Sequence, residues 1–305
     1  MTAHGRLPVV CVPEVDERLS SWIVRLASIY AMTGPELVAE LGLPGRDVAD
    51  LEWRLSEGEG ALIASRTGIS AAAIQAMTFR DMAPDARMMI ARMARYPCPS
   101  CPTDVHRKSA ALPWIFRCLV HDVEVCSAAG ASLSETFTTD CASALRDQAG
   151  QGAAVLDAWA RGDTHGDPGA PEMLAVLTVR HRRASPPTVA EQPRITLQAR
   201  RDYHAFLTAP IIRQALVIIV PEYDQVAPVL TKPVRPGLQG LAQASLLQAF
   251  ALTVGVGRLV EDPVGRAIEV LLASDAEGQG RVRDVLRSWP VSTRRELWPI
   301  LGDAG

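Results

Sequence analysis

The stretch Arg95–His121, RYPCPSCPTDVHRKSAALPWIFRCLVH, decides how the first part of this chain folds. It carries Cys98-x2-Cys101, sixteen intervening residues, and then Cys118-x2-His121. Two tight pairs on a chain that folds back once are what a tetrahedral ion requires. Three thiolates and one imidazole fill four positions and leave none for substrate or activated water. The spacing therefore predicts one structural zinc ion held by Cys98, Cys101, Cys118 and His121. Zinc favours deprotonated thiolates, so folding of this module is expected to depend on metal. Pro99 and Pro102 stiffen the first knuckle, and Trp114 and Phe116 are expected to cover the apolar side of the metal. Cys11, Cys126 and Cys141 read as core thiols.

Upstream, Leu19, Trp22, Ile23, Leu26 and Ala27 recur three and four apart, the pattern of a half-buried helix capped by Asp16 or Ser20 and ended at Gly34-Pro35. Further helices are predicted over 35–41 and 48–55. Gly60–Arg66, the turn Thr67-Gly68-Ile69, and a helix from the cap Ser70 to Met77 give the outline of a helix-turn-helix. A plain helical hairpin has the same spacing and needs no DNA. If DNA is bound, Ser70, Ala71, Ala72 and Gln75 face it, a weakly polar surface suited to shape or phosphate contacts. A helix over 85–95, with Ala86, Met88, Met89 and Met93 as a core stripe, delivers the chain to Cys98.

Downstream, helices are predicted over 134–147 and 153–159, and 173–179 fits a helix or a strand. The proline-rich stretch Ala184–Pro193 reads as a boundary. Beyond it, Leu241–Val254 is apolar nearly all round, either central to a core or partly an interface. Val264, Ala267, Ile268, Leu271 and Leu272 form one apolar face, Val282, Val285, Leu286 and Trp289 another, and Leu297, Trp298 and Leu301 a third. The expected fold is mainly α: an N-terminal region with a helix-turn-helix and a zinc finger, followed by an α-helical C-terminal array. The expected divisions are 1–95, 96–130, 131–183 and 194–305.

A net charge of −3 on 305 residues conceals segregation. Arg87, Arg92, Arg95, Arg107, Lys108 and Arg117 stand against Asp104 alone between Arg87 and His121, whereas Asp122 to Ala170 is acidic. Arg92, Arg95, Arg107 and Lys108 are thus candidate contacts to phosphate or to a partner, beside Ser70, Ala71 and Gln75. The first eight residues have no apolar core of signal-peptide length, and the densest apolar run, near Leu216–Pro221, is too short for a bilayer. A cytoplasmic chain with reduced thiols and no membrane segment is expected.

The segment Pro13, Glu14, Glu17, Leu19, Ser20, Ser21, Trp22, Arg25, Leu26, Ala27 resembles the opening signature of TniQ proteins, the target-selection components of transposons. Arg95–Cys101, Trp114 and Cys118-x2-His121 resemble that family's zinc-finger segment, and Thr67-Gly68-Ile69 with Met77-Thr78 is similar to its helix-turn-helix. The resemblance covers roughly residues 8–130. It implies an adaptor without catalytic activity that binds target DNA or a DNA-targeting complex, in some cases a CRISPR effector, and helps recruit an AAA+ ATPase regulator of transposition. It also implies that Ser21, Trp22 and Arg25 hold the N-terminal helix in place. The apolar helices leave room for a homodimer.

The alternative reading is a stand-alone zinc-containing transcriptional regulator that binds a defined duplex. A hydrolase is disfavoured: the chain has no phosphate-cradling glycine loop, no His-Glu-x2-His array and no nucleophile elbow.

Overall fold

A computed structural model describes residues 5–127, 129–137, 139–163, 166–182, 212–226 and 235–301. The chain divides into two units, Met1–Ser132 and Leu133–Gly305.

In the first unit, Leu19, Trp22, Ile23 and Leu26 lie on one face of helix α1 (Leu19–Ile29) and are fully buried. Leu37 and Val38 of α2 (Gly34–Glu40), Leu51 of α3 (Val48–Arg54), Ile63 of α4 (Glu57–Thr67) and Ile74 of α5 (Ala71–Ala76) close the same core. Each boundary has a local cause. Thr33 and Ser56 form capping boxes with Glu36 and Glu59, and the Asp47 carboxylate accepts from the Ala49 amide at 2.6 Å. Gly68 ends α4 in the left-handed region at φ 73°, where a side chain is disfavoured, and the Ser70 hydroxyl accepts from the Ala73 amide to start α5. Two helices joined by a glycine turn are therefore present where the spacing placed them, and Ile69 packs against the core between them.

Two expectations in this unit are corrected. Neither Asp16 nor Ser20 caps α1; the boundary residue is Arg18, which makes no side-chain cap. The free amide of Ser20 is instead taken by the Glu52 carboxylate at 3.1 Å, reaching across from α3. Asp16, at φ 60°, turns away and accepts from the Ser109 amide at 3.0 Å, capping the 3-10 turn Ser109–Ala111. Nor does a helix run over 85–95. A 3-10 turn, Pro84–Met89, gives way to extended chain at Ile90, because Ala91 and Arg95 donate to the carbonyls of Ala111 and Ala110. The Arg18 guanidinium binds the Ala91 and Arg92 carbonyls at 2.9 and 2.8 Å, satisfying groups that a helix would have paired internally. Of the methionine stripe, Ala86 and Met89 are buried, while Met88 and Met93 are exposed.

The second unit is built around the helix Leu246–Glu261, buried along most of its length, so the apolar stretch is central to a core. It is shorter than 241–254 suggested at one end: the chain breaks after Leu238–Gln243 and restarts at Ser245, whose hydroxyl and Gln248 form a capping box. The two helices expected over 134–147 and 153–159 are one helix, α6 (Thr139–Ala160), which runs through Gly150 and Gly152. Gly152 lies against the backbone of Thr253 and Gly257, so its missing side chain marks a helix crossing rather than a helix end. Ala170–Leu177 is helical. Strands β1 (Arg180–Arg182) and β2 (Ile212–Gln214) form an antiparallel pair with Arg180 opposite Gln214. The boundary expected over 184–193 lies outside the described residues.

The later helices, Pro263–Ala273 and Ala276–Leu286, are capped by Asp262 and Asp275. The first buries Ala267, Val270 and Leu271 but leaves Leu272 exposed, a face rotated from the expected one. Val282, Leu286 and Trp289 are buried as expected, as is Leu297. Among the described residues no helix is long and apolar enough to cross a membrane.

Candidate metal centre

The Cys118 end of the site is a short hairpin. Val125 donates to the Phe116 carbonyl and Cys118 to that of Val123, while Asp122 turns the chain at φ 51° and donates to the Cys118 carbonyl. The first knuckle is closed by the Cys101 amide on the Cys98 carbonyl at 3.3 Å, and the Cys126 amide on the Pro97 carbonyl joins the two halves. Four donor atoms then converge, all within 4.8 Å of one another: the sulfurs of Cys98, Cys101 and Cys118, and one ring nitrogen of His121.

The spacing of these atoms fits one ion. Cys101 Sγ stands 3.7 Å from Cys118 Sγ, and His121 Nδ1 stands 3.6, 3.4 and 3.6 Å from the sulfurs of Cys98, Cys101 and Cys118. Ordinary zinc–sulfur and zinc–nitrogen bond lengths give tetrahedral edges of about 3.8 Å between sulfurs and about 3.5 Å from sulfur to nitrogen. A Cys3His cluster capable of coordinating a metal ion is therefore present.

The thiols differ in how readily they ionise. Burial, aided by the neighbouring Cys118 and Cys98 thiols, pushes Cys101 up to about 11 against a hydrogen bond from Arg107. Burial also raises Cys118, but the backbone amides of His121 and Val120, the His121 ring and Cys101 outweigh it and bring that thiol down to about 7.

The centre is fastened to α1 by a polar network. Glu17, 1% exposed, accepts both Arg25 Nε and Nη2 at 2.8 Å, together with the Ser21 hydroxyl at 3.1 Å and the Glu14 amide at 2.9 Å. Ser21 in turn accepts from the His106 amide at 2.9 Å, and the Arg18 amide donates to the His106 carbonyl. Trp22 Nε1 donates to the Cys11 carbonyl, pinning the entry segment. The expectation that Ser21, Trp22 and Arg25 hold the N-terminal helix thus has a physical form. Trp114 is buried, yet the cavity of about 220 Å³ adjoining the cluster is walled by Tyr96, Val105, Ile115 and Val125, with neither Trp114 nor Phe116 among its lining residues.

Residues 8–125 match the TniQ family model. The TniQ match thus spans the entry segment, helices α1 to α5 and the four converging donor residues. TniQ proteins are non-catalytic. Comparison with curated proteins and with solved structures gave no match.

The seven residues proposed from sequence as DNA or partner contacts are dispersed through the TniQ-like region. Ser70, Ala71 and Arg92 are exposed and Gln75 half-buried. Arg95 is half-buried, donates to the Met89 carbonyl at 2.9 Å, and has its pKa lowered by burial. Lys108 donates to the Ala76 carbonyl at 2.7 Å, with its ammonium 5.5 Å from the Phe79 ring centre and its pKa lowered by burial. Arg107 is inside the protein, with its guanidinium on Cys101. Sequence reasoning missed Arg6, whose guanidinium covers Gly68 at the turn between α4 and α5. Its position depends on the Leu7 amide bonding to the Arg66 carbonyl, a pairing that no local pattern announces.

Proposed function

We propose that this chain is a non-catalytic transposition-targeting adaptor, linking target DNA or a DNA-targeting complex to an AAA+ ATPase regulator of transposition. The observation that carries the reading is the coincidence of the TniQ match with the region that contains both the signature network of Glu17, Ser21, Trp22 and Arg25 and the Cys3His cluster. The ion is zinc, since three thiolates and an imidazole at tetrahedral spacing form its usual closed structural shell. With every position filled by protein, the ion braces the fold.

The α4–α5 pair is the DNA-facing element of this reading. Ser70 and Ala71 lie exposed after the turn, and the Arg6 guanidinium over Gly68 adds a phosphate-seeking cation beside them. Such a surface suits phosphate contacts, so duplex binding is expected to be weak, steeply salt-dependent and indifferent to sequence. Affinity capture from native cells, with and without nuclease, tests the adaptor role. Co-purification of an AAA+ ATPase that survives nuclease is the expected result. Tight binding of one defined duplex by the purified chain, with no ATPase captured, would instead establish a stand-alone regulator.

Zinc affinity should fall with acid. Below about pH 11, binding must displace at least the Cys101 proton, a loss of at least about 10-fold in affinity per pH unit. Below about pH 7 the Cys118 proton must leave as well, and the dependence steepens further. Chelator competition across pH 6–9 measures this slope; a flat profile would contradict thiolate ligation. Cys101→Ser is expected to lower the zinc content below one ion per chain and to loosen residues 98–121. A full equivalent in that variant would remove Cys101 from the ligand set.

A further inference from the structure

We infer that Arg107 is a positioning residue of the metal centre, supplying the positive charge that balances the thiolates and tying the ion to the entry segment. The inference rests on the zinc reading above. Arg107 is 5% exposed and its Nε stands 3.2 Å from Cys101 Sγ. Its Nη1 donates to the Val15 carbonyl, and its backbone bridges to Glu17. Among the described residues Arg107 makes no ion pair, and the nearby Glu17 carboxylate is already engaged by Arg25.

A guanidinium cannot shed its charge by deprotonating, and a buried charge without a partner is costly. The group that answers it is the sulfur cluster. Zinc with three thiolates carries a net charge of −1, and one guanidinium against the shell brings the whole to zero. The N–H···S bond also draws electron density from Cys101. Outer-shell donors of this kind orient ligands and tune a metal site. Because the same side chain grips Val15, filling the centre should also order the segment that leads into the signature helix.

The test uses the full-length chain and its Arg107→Gln and Arg107→Lys variants. Zinc affinity is measured by competition with a chelator of known strength, and the thiolate-to-metal charge-transfer band is recorded on the cobalt(II)-substituted protein. Arg107→Gln is expected to weaken zinc binding about 10–100-fold. It should also move the charge-transfer band to longer wavelength, because a sulfur without its hydrogen bond gives up electrons more easily. Arg107→Lys, which keeps the charge without the planar fork, should recover part of the affinity. An unchanged affinity and band in Arg107→Gln, with the wild type carrying one zinc, would overturn the role of Arg107 alone. A wild type that binds no zinc would overturn the zinc reading and this inference together. Should Arg107→Gln fail to fold, the zinc off-rate of Arg107→Lys decides: a faster rate supports the inference, and a rate equal to wild type overturns it.

Discussion

Glu52→Ala is expected to destabilise the first unit by about 3–5 kcal/mol, the usual result of removing one partner from a buried ion pair. Glu52 is 1% exposed and receives Nη2 of Arg18 at 2.6 Å and Nε at 3.2 Å. It also receives the amide and hydroxyl of Ser20, and so caps α1 from a neighbouring helix. Its loss leaves a buried guanidinium without its counter-charge and a helix-start amide without an acceptor. Because Arg18 also holds the Ala91 and Arg92 carbonyls, the damage should spread to the chain that approaches the metal knuckles. Glu52→Gln, which retains an acceptor for Ser20, should cost less. Urea unfolding, with hydrogen exchange at residues 19–29 and 91–111, measures both variants. A loss below about 0.5 kcal/mol in Glu52→Ala, the scale of an ordinary surface change, would show that Glu52 is not the hub the geometry makes it.

This pair marks the limit of what the sequence disclosed. The convergence of Cys98, Cys101, Cys118 and His121 was legible because a cysteine knuckle is a local device, with two donors three residues apart on a turn that the same residues form. The apolar face of α1 and the Gly68 turn were legible for the same reason, since their periods and caps lie within a few residues. Helix ends that rely on distant groups were not. Asp16 looked like the cap of α1 yet serves Ser109, some ninety positions away, while Glu52 does the work assigned to it. Arg107 sits in a basic run whose composition suggests a phosphate-binding surface, and only the folded chain shows its guanidinium turned inward to Cys101. Composition reports how much charge a segment carries, whereas burial decides what that charge can meet. The polar signature around Glu17, Ser21 and Arg25 was recognisable as a pattern, but its physical purpose appeared only when the bonds from Ser21 to Glu17 and from His106 to Ser21 were in place.

In the second unit the glycines where α6 crosses the helix Leu246–Glu261 offer the sharpest contrast. Gly257→Ala is expected to destabilise the unit by about 3 kcal/mol or more, at or above the upper end of ordinary overpacking. A Cβ on Gly257 would stand 2.2 Å from the Gln148 carbonyl oxygen, and one on Gly152 would stand 1.9 Å from that of Thr253. Both obstacles are backbone, so no rotamer change relieves them; the helices must separate. Separation would strain the bonds of Arg258 to Gln148 at 2.8 Å and to Glu222 at 2.8 and 3.0 Å, which brace the same region. Gly150 lies in α6 two residues before Gly152, with nothing within 4 Å of an added Cβ. Gly150→Ala should therefore stabilise the protein by about 0.5–1 kcal/mol through backbone entropy alone. The two effects have opposite sign although helix propensity favours alanine at all three positions, so propensity cannot account for both. Thermal and urea unfolding followed by circular dichroism would resolve them. A Gly257→Ala chain as stable as wild type, or a Gly150→Ala chain as damaged as Gly257→Ala, would refute a backbone-to-backbone crossing between Thr139–Ala160 and Leu246–Glu261.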